Sequence, residues 1–265
     1  MNLSSFYNTL ITNFSAADRI FDILDVQPVI KNSLNARPIG KIQGNVEFKN
    51  VSFSYDEENE VLKNVSFKAA KGEKIALVGA TGAGKSTIVS LLSRFYDPTK
   101  GKILVDGKDI KNVDLESLRS QMGIMLQDTF LFSDTIMENI RYGRLDATDE
   151  EVINAAKAVN AHEFIMKLEN GYKTEVNERG SRLSLGQRQL LSFARALLAN
   201  PRILILDEAT SNIDTVTEKL VQKGIEKLLH GRTSFVVAHR LSTIRDCDKI
   251  MVINNGKIEE EGNHE

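Results

Sequence analysis

Cysteine is almost absent from this sequence, since Cys247 is the only one among 265 residues. A single cysteine excludes an internal disulfide and is typical of a reducing compartment. A membrane-spanning stretch is also lacking, because polar side chains interrupt the longest uncharged segment, residues 1–17. No signal peptide is expected, because the first residues have neither a basic region nor an unbroken apolar region. A net charge of −2 without any basic block argues against a nucleic-acid partner.

The first segment nevertheless carries a helical pattern. Its apolar residues recur in steps of four and three, which predicts a helix with one apolar stripe that ends before Pro28. The members of this stripe are Leu3, Tyr7, Leu10, Phe14, Ala17, Phe21 and Leu24. Two alternatives remain open for what covers the stripe: its own domain, or a partner or membrane domain.

A glycine-rich segment, GATGAGKST at residues 79–87, has the spacing of a phosphate-binding loop. Gly79, Gly84, Lys85 and Ser86 fit the pattern G-x-x-x-x-G-K-[ST]. An apolar strand pattern precedes the segment and a helical pattern follows it, so the loop lies where a strand becomes a helix. Because the free N–H groups at a helix start favour an anion, the segment indicates a nucleotide-binding protein.

Strand and helix patterns alternate along the rest of the chain. Residues 27–44 are polar, contain proline and glycine and lack periodicity, which predicts a linker. Two alternating segments, NVEFKNVSFSY and VLKNVSFKA, predict an antiparallel hairpin. The later strand patterns alternate with helices, which predicts a mainly parallel sheet. Between Gln127 and Arg202 the patterns are helical only, so we predict an inserted helical block without strands.

A pair of carboxylates ends the apolar segment ILILDE. Successive strand residues point in opposite directions, so Asp207 is expected to face Mg²⁺ beside Ser86, while Glu208 is directed towards an attacking water. A GTPase would also need a base-recognition motif that contains K-x-D, and no K-x-D occurs in the sequence. Specificity for GTP is therefore not expected.

The segment LSLGQRQ at residues 183–189 stands just before a long helical pattern. Ser184 is expected to cap that helix, and a hydroxyl, a glycine and free N–H groups there would form a second anion site. Together, these motifs resemble the nucleotide-binding domain of ATP-binding cassette (ABC) transporters, whose signature is usually LSGGQ. The resemblance runs from about Val46 to the end, with the motifs in the family's order.

The resemblance implies a fold and a mode of assembly. The fold is α/β: a P-loop NTPase (RecA-like) core with an N-terminal antiparallel β subdomain and an inserted α-helical subdomain at about residues 129–199. In this family two such domains face each other head to tail, and the signature of one closes over the ATP bound by the other. The implied cofactors are ATP and Mg²⁺.

The resemblance also implies roles for individual residues. Tyr55 matches the aromatic residue that stacks on adenine, and Gln127 matches the glutamine that touches Mg²⁺ and water. Asp214 matches a residue of the loop that crosses the dimer interface, and His239 matches the switch histidine on the γ-phosphate. The predicted catalytic residues are Glu208, His239, Gln127 and Lys85; the nucleotide-binding residues are Tyr55, Gly79, Thr81, Gly82, Ala83, Gly84, Lys85, Ser86, Thr87, Ser184, Gly186, Gln187 and Asp214; the metal ligands are Ser86, Gln127 and Asp207.

Two segments are similar to those of exporters in this family: TEVNERG, and FLFSDTIMENIRYG, whose equivalent receives the cytoplasmic loops of the membrane domain. Residues 1–44 then resemble the cytoplasmic tail of a transmembrane domain, with its linker, and residues 45–265 the nucleotide-binding domain. The expected function is ATP hydrolysis that powers export of an unknown substrate by ATP-driven dimerisation. The expected location is the cytoplasmic face of the cell (inner) membrane, in a piece of a longer half-transporter.

One position departs from the family pattern. Leu185 stands where the signature usually has its second glycine, and a side chain there could crowd the γ-phosphate of the partner's ATP. We therefore predict a heterodimer with a different chain that has an ordinary signature but a faulty catalytic base. A homodimer that tolerates leucine at this position is the alternative.

Overall fold

The computed structural model describes residues 2–56, 59–125, 130–176, 180, 183–207, 215–237 and 241–264. The chain divides into two compact units, Met1–Lys31 and Asn32–Glu265. The first unit contains helix α1 (Leu3–Leu24), which confirms the predicted helix. None of the side chains of α1 is buried, and its apolar stripe is exposed along most of its length. Among the described helices, none is both long and apolar enough to cross a membrane.

The second unit contains all of the described strands. The strands are β1 (Val46–Ser54), β2 (Glu60–Ala69), β3 (Lys74–Val78), β4 (Lys100–Val105), β5 (Lys108–Asp109), β6 (Met122–Met125), β7 (Asp134–Thr135), β8 (Glu175–Val176), β9 (Ile203–Asp207), β10 (Thr233–Val237), β11 (Lys249–Asn254) and β12 (Lys257–Gly262). The helices are α2 (Lys85–Leu92), α3 (Leu115–Arg119), α4 (Ile136–Arg141), α5 (Asp149–Ala158), α6 (His162–Met166), α7 (Leu185–Ala199), α8 (Thr215–Leu229) and α9 (Leu241–Arg245), with single 3₁₀ turns at Ile110–Asn112 and Gly171–Lys173.

A four-stranded antiparallel sheet has the order β2-β1-β4-β5. Strands β1 and β2 pair antiparallel, which confirms the predicted hairpin. Phe48 and Phe67 stack across this pair with ring centroids 4.4 Å apart, and both side chains are buried. The alternation of apolar and polar residues in β1 and β2 therefore buries one face of the hairpin, as a period of two requires.

The second sheet has six strands in the order β12-β11-β3-β10-β9-β6. Strands β11, β3, β10, β9 and β6 are parallel to their neighbours, which confirms the mainly parallel sheet. The exception is β12, which follows β11 through a tight turn in which Asn255 and Gly256 both have positive φ, 47° and 78°. Two consecutive positive φ angles are the requirement of a type I′ hairpin turn, and asparagine followed by glycine meets it at low cost.

The six-stranded sheet separates two apolar cores, and alternate residues of its strands point to opposite sides. Leu204, Leu206 and Val236 belong to the core that includes α4–α7, while their neighbours Ile203, Ile205 and Phe235 belong to the core that includes α2 and the antiparallel sheet. A strand buried on both faces is a continuous apolar run. This explains why ILIL and FVV lack polar alternation, whereas β10 begins with two buried polar residues, Thr233 and Ser234.

The inserted helical block contains α4, α5, α6 and α7, and α7 packs against α4, α5 and α8. The prediction that this region contains no strand is wrong, because β7 and β8 pair antiparallel. Both strands have only two residues, and a period of two is not recognisable over so short a length.

The chain between Asn32 and Gly44 lies in the second unit. Ile39 and Ile42 are buried there, and their backbone N–H groups donate to Ser117 Oγ and Gln121 Oε1, both at 3.0 Å. The predicted division of the chain after residue 44 stays a prediction.

Candidate functional site

The predicted phosphate-binding loop connects the end of β3 to the start of α2. Gly79 has a φ of 155°, and a Cβ atom on it would overlap the carbonyl oxygen of Ile253 in β11. Gly84 has a φ of 112°, and a Cβ atom there would lie 2.7 Å from Leu62 Cδ2. Both positions combine a positive φ with close neighbours, so only glycine fits them without strain. This is why the loop between β3 and α2, residues 79–84, needs a glycine at each end.

Lys85 is the first residue of α2 and is buried. Its ammonium group folds back over the loop and donates to the carbonyl oxygens of Gly79 at 2.7 Å and Ala80 at 2.9 Å. Among the described residues no side chain caps α2. Its first N–H groups therefore remain available to a ligand, as do those at any uncapped helix start.

A cavity of about 620 Å³ lies next to this loop. It is lined by Tyr55, Val61, Thr81, Gly82, Gly84, Lys85, Ser86, Thr87, Asp207 and Val237. Seven of these ten residues are predicted nucleotide-binding residues and an eighth, Asp207, is a predicted metal ligand. Gly79 and Ala83 belong to the same loop without lining the cavity. Val61 and Val237 are not predictable as site residues from the sequence, because an apolar residue in a strand carries no functional signal of its own.

The sheet register explains why Asp207 reaches this cavity. Val237 of β10 is level with both Leu77 of β3 and Asp207 of β9. The carboxyl ends of these three parallel strands therefore meet at one edge of the sheet, where ligands bind in open α/β sheets. Asp207 and Ser86 consequently line one cavity although they are far apart in the sequence.

Tyr55 follows β1 and contributes an aromatic ring to the cavity. Its side chain is half exposed, and its hydroxyl group lies 3.2 Å from Thr87 Oγ1 in the first turn of α2. The ring is therefore connected to the helix that follows the loop, and its exposed part can contact a ligand.

The second predicted anion site is at the start of α7. Ser184 caps this helix: Ser184 Oγ accepts the N–H of Gln187 at 3.2 Å, and Gln187 Oε1 accepts the N–H of Ser184 at 2.9 Å. The expected cap is confirmed. Leu185 is the first helical residue and is partly exposed, and Gly186 is buried. In the part of the chain that the structure describes, Ser184, Gly186 and Gln187 do not line the cavity beside the loop.

Four predicted site residues, Gln127, Glu208, Asp214 and His239, lie outside the described residues. Their roles stay predictions. Glu208 is the residue after the end of β9, and His239 is the second residue after the end of β10.

An exposed group of aromatic residues lies on the segment that resembles exporters. Phe130 and Phe132 have ring centroids 5.1 Å apart, and Phe132 and Tyr142 4.5 Å apart. All three side chains are exposed. The guanidinium carbon of Arg195 lies 5.6 Å from the ring centroids of Phe132 and Tyr142, and burial lowers the pKa of Arg195. We call Phe130, Phe132, Tyr142 and Arg195 the aromatic patch.

Residues 62–211 match the family model described as ABC transporter. Over 263 residues the chain is 56% identical to the uncharacterized ABC transporter ATP-binding protein YknV of Bacillus subtilis and 49% identical to the ATP-dependent lipid A-core flippase of Syntrophus aciditrophicus. Each match covers 99% of this chain and 44% of the relative. A bacterial Atm1-family ABC exporter with ATP bound has a TM-score of 0.88 at 44% identity, over 99% of this chain and 46% of that one. The predicted fold class is thereby confirmed, and the chain spans less than half the length of these relatives.

Proposed function

The chain belongs to the ABC transporter family, and from this premise we propose that its ATPase activity powers export of a substrate across a membrane. The observation that carries the proposal is the single cavity shared by the phosphate-binding loop, Ser86, Asp207 and Tyr55. It combines donors for phosphate, oxygen ligands for a metal and an aromatic ring for a base.

The residues beside the loop fit a nucleoside triphosphate. The volume of about 620 Å³ is in the range of small-molecule sites. Within the part of the chain that the structure describes, the Lys85 ammonium donates to two backbone carbonyls of the loop, and a polyphosphate would be a stronger, charged acceptor for it. The free N–H groups at the start of α2 would bind further phosphate oxygens. Thr81, Gly82, Ala83 and Thr87 would complete the binding loop.

Ser86 and Asp207 also fit Mg²⁺. A hydroxyl and a carboxylate that line one cavity supply the oxygen ligands that this ion prefers. Gln127 is proposed as a further ligand. The ion, when bound with ATP, would neutralise charge on the phosphates.

The proposed catalytic groups would act at the outer phosphate. Glu208 directly follows Asp207, and strand alternation directs neighbouring side chains to opposite sides. We therefore assign Asp207 to the metal and Glu208 to orientation and polarisation of the attacking water. Lys85 would hold the phosphates during transfer, and His239 would stabilise charge on the γ-phosphate.

The signature at the start of α7 is proposed to act on a second domain. Ser184, Gly186 and Gln187 do not line the described cavity of their own chain, which supports a role in the site of a partner. Asp214 would lie in the interface between the two domains. ATP binding would favour the paired state, and hydrolysis would release it.

A transmembrane domain is the other proposed partner. Two observations support it: the exposed apolar stripe of α1 and the aromatic patch. Large exposed apolar groups often mark interaction surfaces, and the chain spans 44% of the length of its relatives. We propose the cytoplasmic face of the cell (inner) membrane as the location and no nucleic-acid partner.

Glu208→Gln tests the proposed chemistry. This variant should keep the ATP affinity of the wild type but lower turnover by about 10²–10⁴-fold, because it loses the general base. ATP affinity is measured by calorimetric titration and turnover by phosphate release. Glu226→Gln, an exposed position on α8, is the matched control and should leave both unchanged. Unchanged hydrolysis in Glu208→Gln would remove Glu208 from the mechanism, and a wild-type chain that binds no ATP would contradict the proposed function.

A further inference from the structure

We infer that Tyr96 is a positioning residue for the nucleobase: it holds the ring of Tyr55 in the orientation that binds the base. This inference rests on the proposed function, because it concerns the base of the nucleotide bound beside the loop. Tyr96 does not line the described cavity and belongs to none of the motifs of the sequence analysis. It acts through Tyr55.

Among the described residues, three side chains restrain the Tyr55 ring. The ring of Phe53 lies 4.8 Å from it, centroid to centroid, at an interplanar angle of 87°. The ring of Tyr96 lies 5.1 Å from it at 89°, and Phe53 and Tyr96 also contact each other at 5.5 Å. The two perpendicular contacts have the preferred edge-to-face geometry of aromatic pairs. The third restraint is the hydroxyl contact of Tyr55 with Thr87 at 3.2 Å.

These restraints leave the Tyr55 ring fixed but accessible. Tyr55 is 53% exposed, whereas Phe53 is 4% exposed and belongs to the core. The buried ring of Phe53 supports Tyr55 from the core, and Tyr96 supports it from the surface. Without Tyr96, the Tyr55 side chain would gain freedom that nucleotide binding must then remove.

The segment that carries Tyr96 is itself rigidly attached. After α2 the chain turns at Arg94, which has a φ of 52° and is buried. The guanidinium of Arg94 donates to Val113 O at 3.0 Å and to Asp97 Oδ1 at 3.1 Å. Three residues beyond Tyr96, Thr99 joins β1: its N–H donates to Ser52 O at 2.9 Å, and its hydroxyl oxygen accepts the N–H of Ser54 at 3.3 Å.

Because the Tyr96 segment is bound to β1 and the Tyr55 hydroxyl contacts α2, the base-binding ring is coupled to the phosphate-binding helix. Precise binding requires that a residue in contact with the ligand, here Tyr55, is held in place by neighbours whose own positions are fixed. Because Tyr96 contacts the ring of Tyr55 and acts through it, the contribution of Tyr96 should apply to ligands that have a base and be absent for ligands that have only phosphates.

The test compares two probes, ATP and inorganic tripolyphosphate, each with Mg²⁺, by calorimetric titration of the full chain. Tyr96→Leu keeps bulk but removes the ring, and should weaken ATP binding about two- to tenfold, the value expected for the loss of one aromatic pair. Its affinity for tripolyphosphate should equal that of the wild type. Tyr96→Phe keeps the ring and should bind ATP like the wild type. In a Tyr55→Ala background, Tyr96→Leu should cause no further loss.

Phe95→Leu is the matched control. Phe95 is 47% exposed, close to the 42% of Tyr96, but its ring lies under the guanidinium of Arg119, 5.1 Å from its carbon. This variant should bind both probes like the wild type.

Three outcomes would overturn the inference: unchanged ATP affinity in Tyr96→Leu, an equal loss for both probes, or a loss that persists without the Tyr55 ring. A wild-type chain that binds neither probe would instead overturn the proposed function together with the inference.

Discussion

At the scale of single residues, Gly79 lies so close to β11 that a Cβ atom on it would overlap the carbonyl oxygen of Ile253. We predict that Gly79→Ala destabilises the chain by roughly 1–3 kcal/mol, because its new methyl group would overlap the backbone of Ile253. It should also weaken ATP binding, since the loop must move to relieve the overlap. Urea unfolding and calorimetric titration measure the two effects.

Gly82→Ala is the control for this prediction. Gly82 also has a positive φ, 81°, but a Cβ atom on it would meet nothing within 4 Å among the described residues. Its substitution should cost only the backbone strain, about 1 kcal/mol. Equal destabilisation by the two variants would show that the contact with β11 is unimportant.

At the scale of elements, α5 and α7 begin with the same N-terminal capping motif. Thr148 and Glu151 form a capping box at α5, and Ser184 and Gln187 form one at α7. Thr148→Ala and Ser184→Ala should each lower the free energy of unfolding by about 1 kcal/mol, the usual contribution of an N-cap. Denaturant titration of the two variants checks this.

The two caps should differ in function. The Ser184 hydroxyl accepts one N–H group and can still donate its hydrogen to a phosphate of the partner's ATP. If α7 acts in the ATP site of the proposed partner domain, Ser184→Ala should lower ATP hydrolysis by the assembled pair of domains, whereas Thr148→Ala should not. If the two variants had the same activity at matched stability, the cap of α7 would be only structural.

At the scale of the whole molecule, Leu185 bears on the choice of partner. It is the first residue of α7 and is partly exposed. If its side chain weakens the ATP site of the proposed partner, this chain joined to the proposed transmembrane domain should hydrolyse ATP slowly alone and faster with a different partner. Leu185→Gly should then raise the activity of the chain alone, because glycine permits close approach of a phosphate. Phosphate release is measured for each assembly.

One result of these measurements would contradict the predicted heterodimer. Rapid hydrolysis at two equivalent sites by the chain alone, without a gain from Leu185→Gly, would favour a homodimer that tolerates leucine.

The sequence by itself determined the features that depend on near neighbours along the chain. Gly79 and Gly84 predict the loop because its backbone conformation requires glycine, and Ser184 predicts a cap because its hydroxyl meets an N–H group three residues later. The strands β3 and β9 follow from apolar runs, because a strand buried on both faces is mostly apolar. These signals are local, so no knowledge of the packing is needed.

Only the tertiary structure decided which of these elements meet. Asp207 reaches the cavity of Ser86 because β10 pairs with both β3 and β9 in level register. Ile39 and Ile42 are buried although their segment has no periodicity, and Tyr96 contacts Tyr55 only because the turn at Arg94 brings the chain back to β1. Such contacts join residues that are distant in the sequence, and they depend on how the sheets and helices pack rather than on any local pattern.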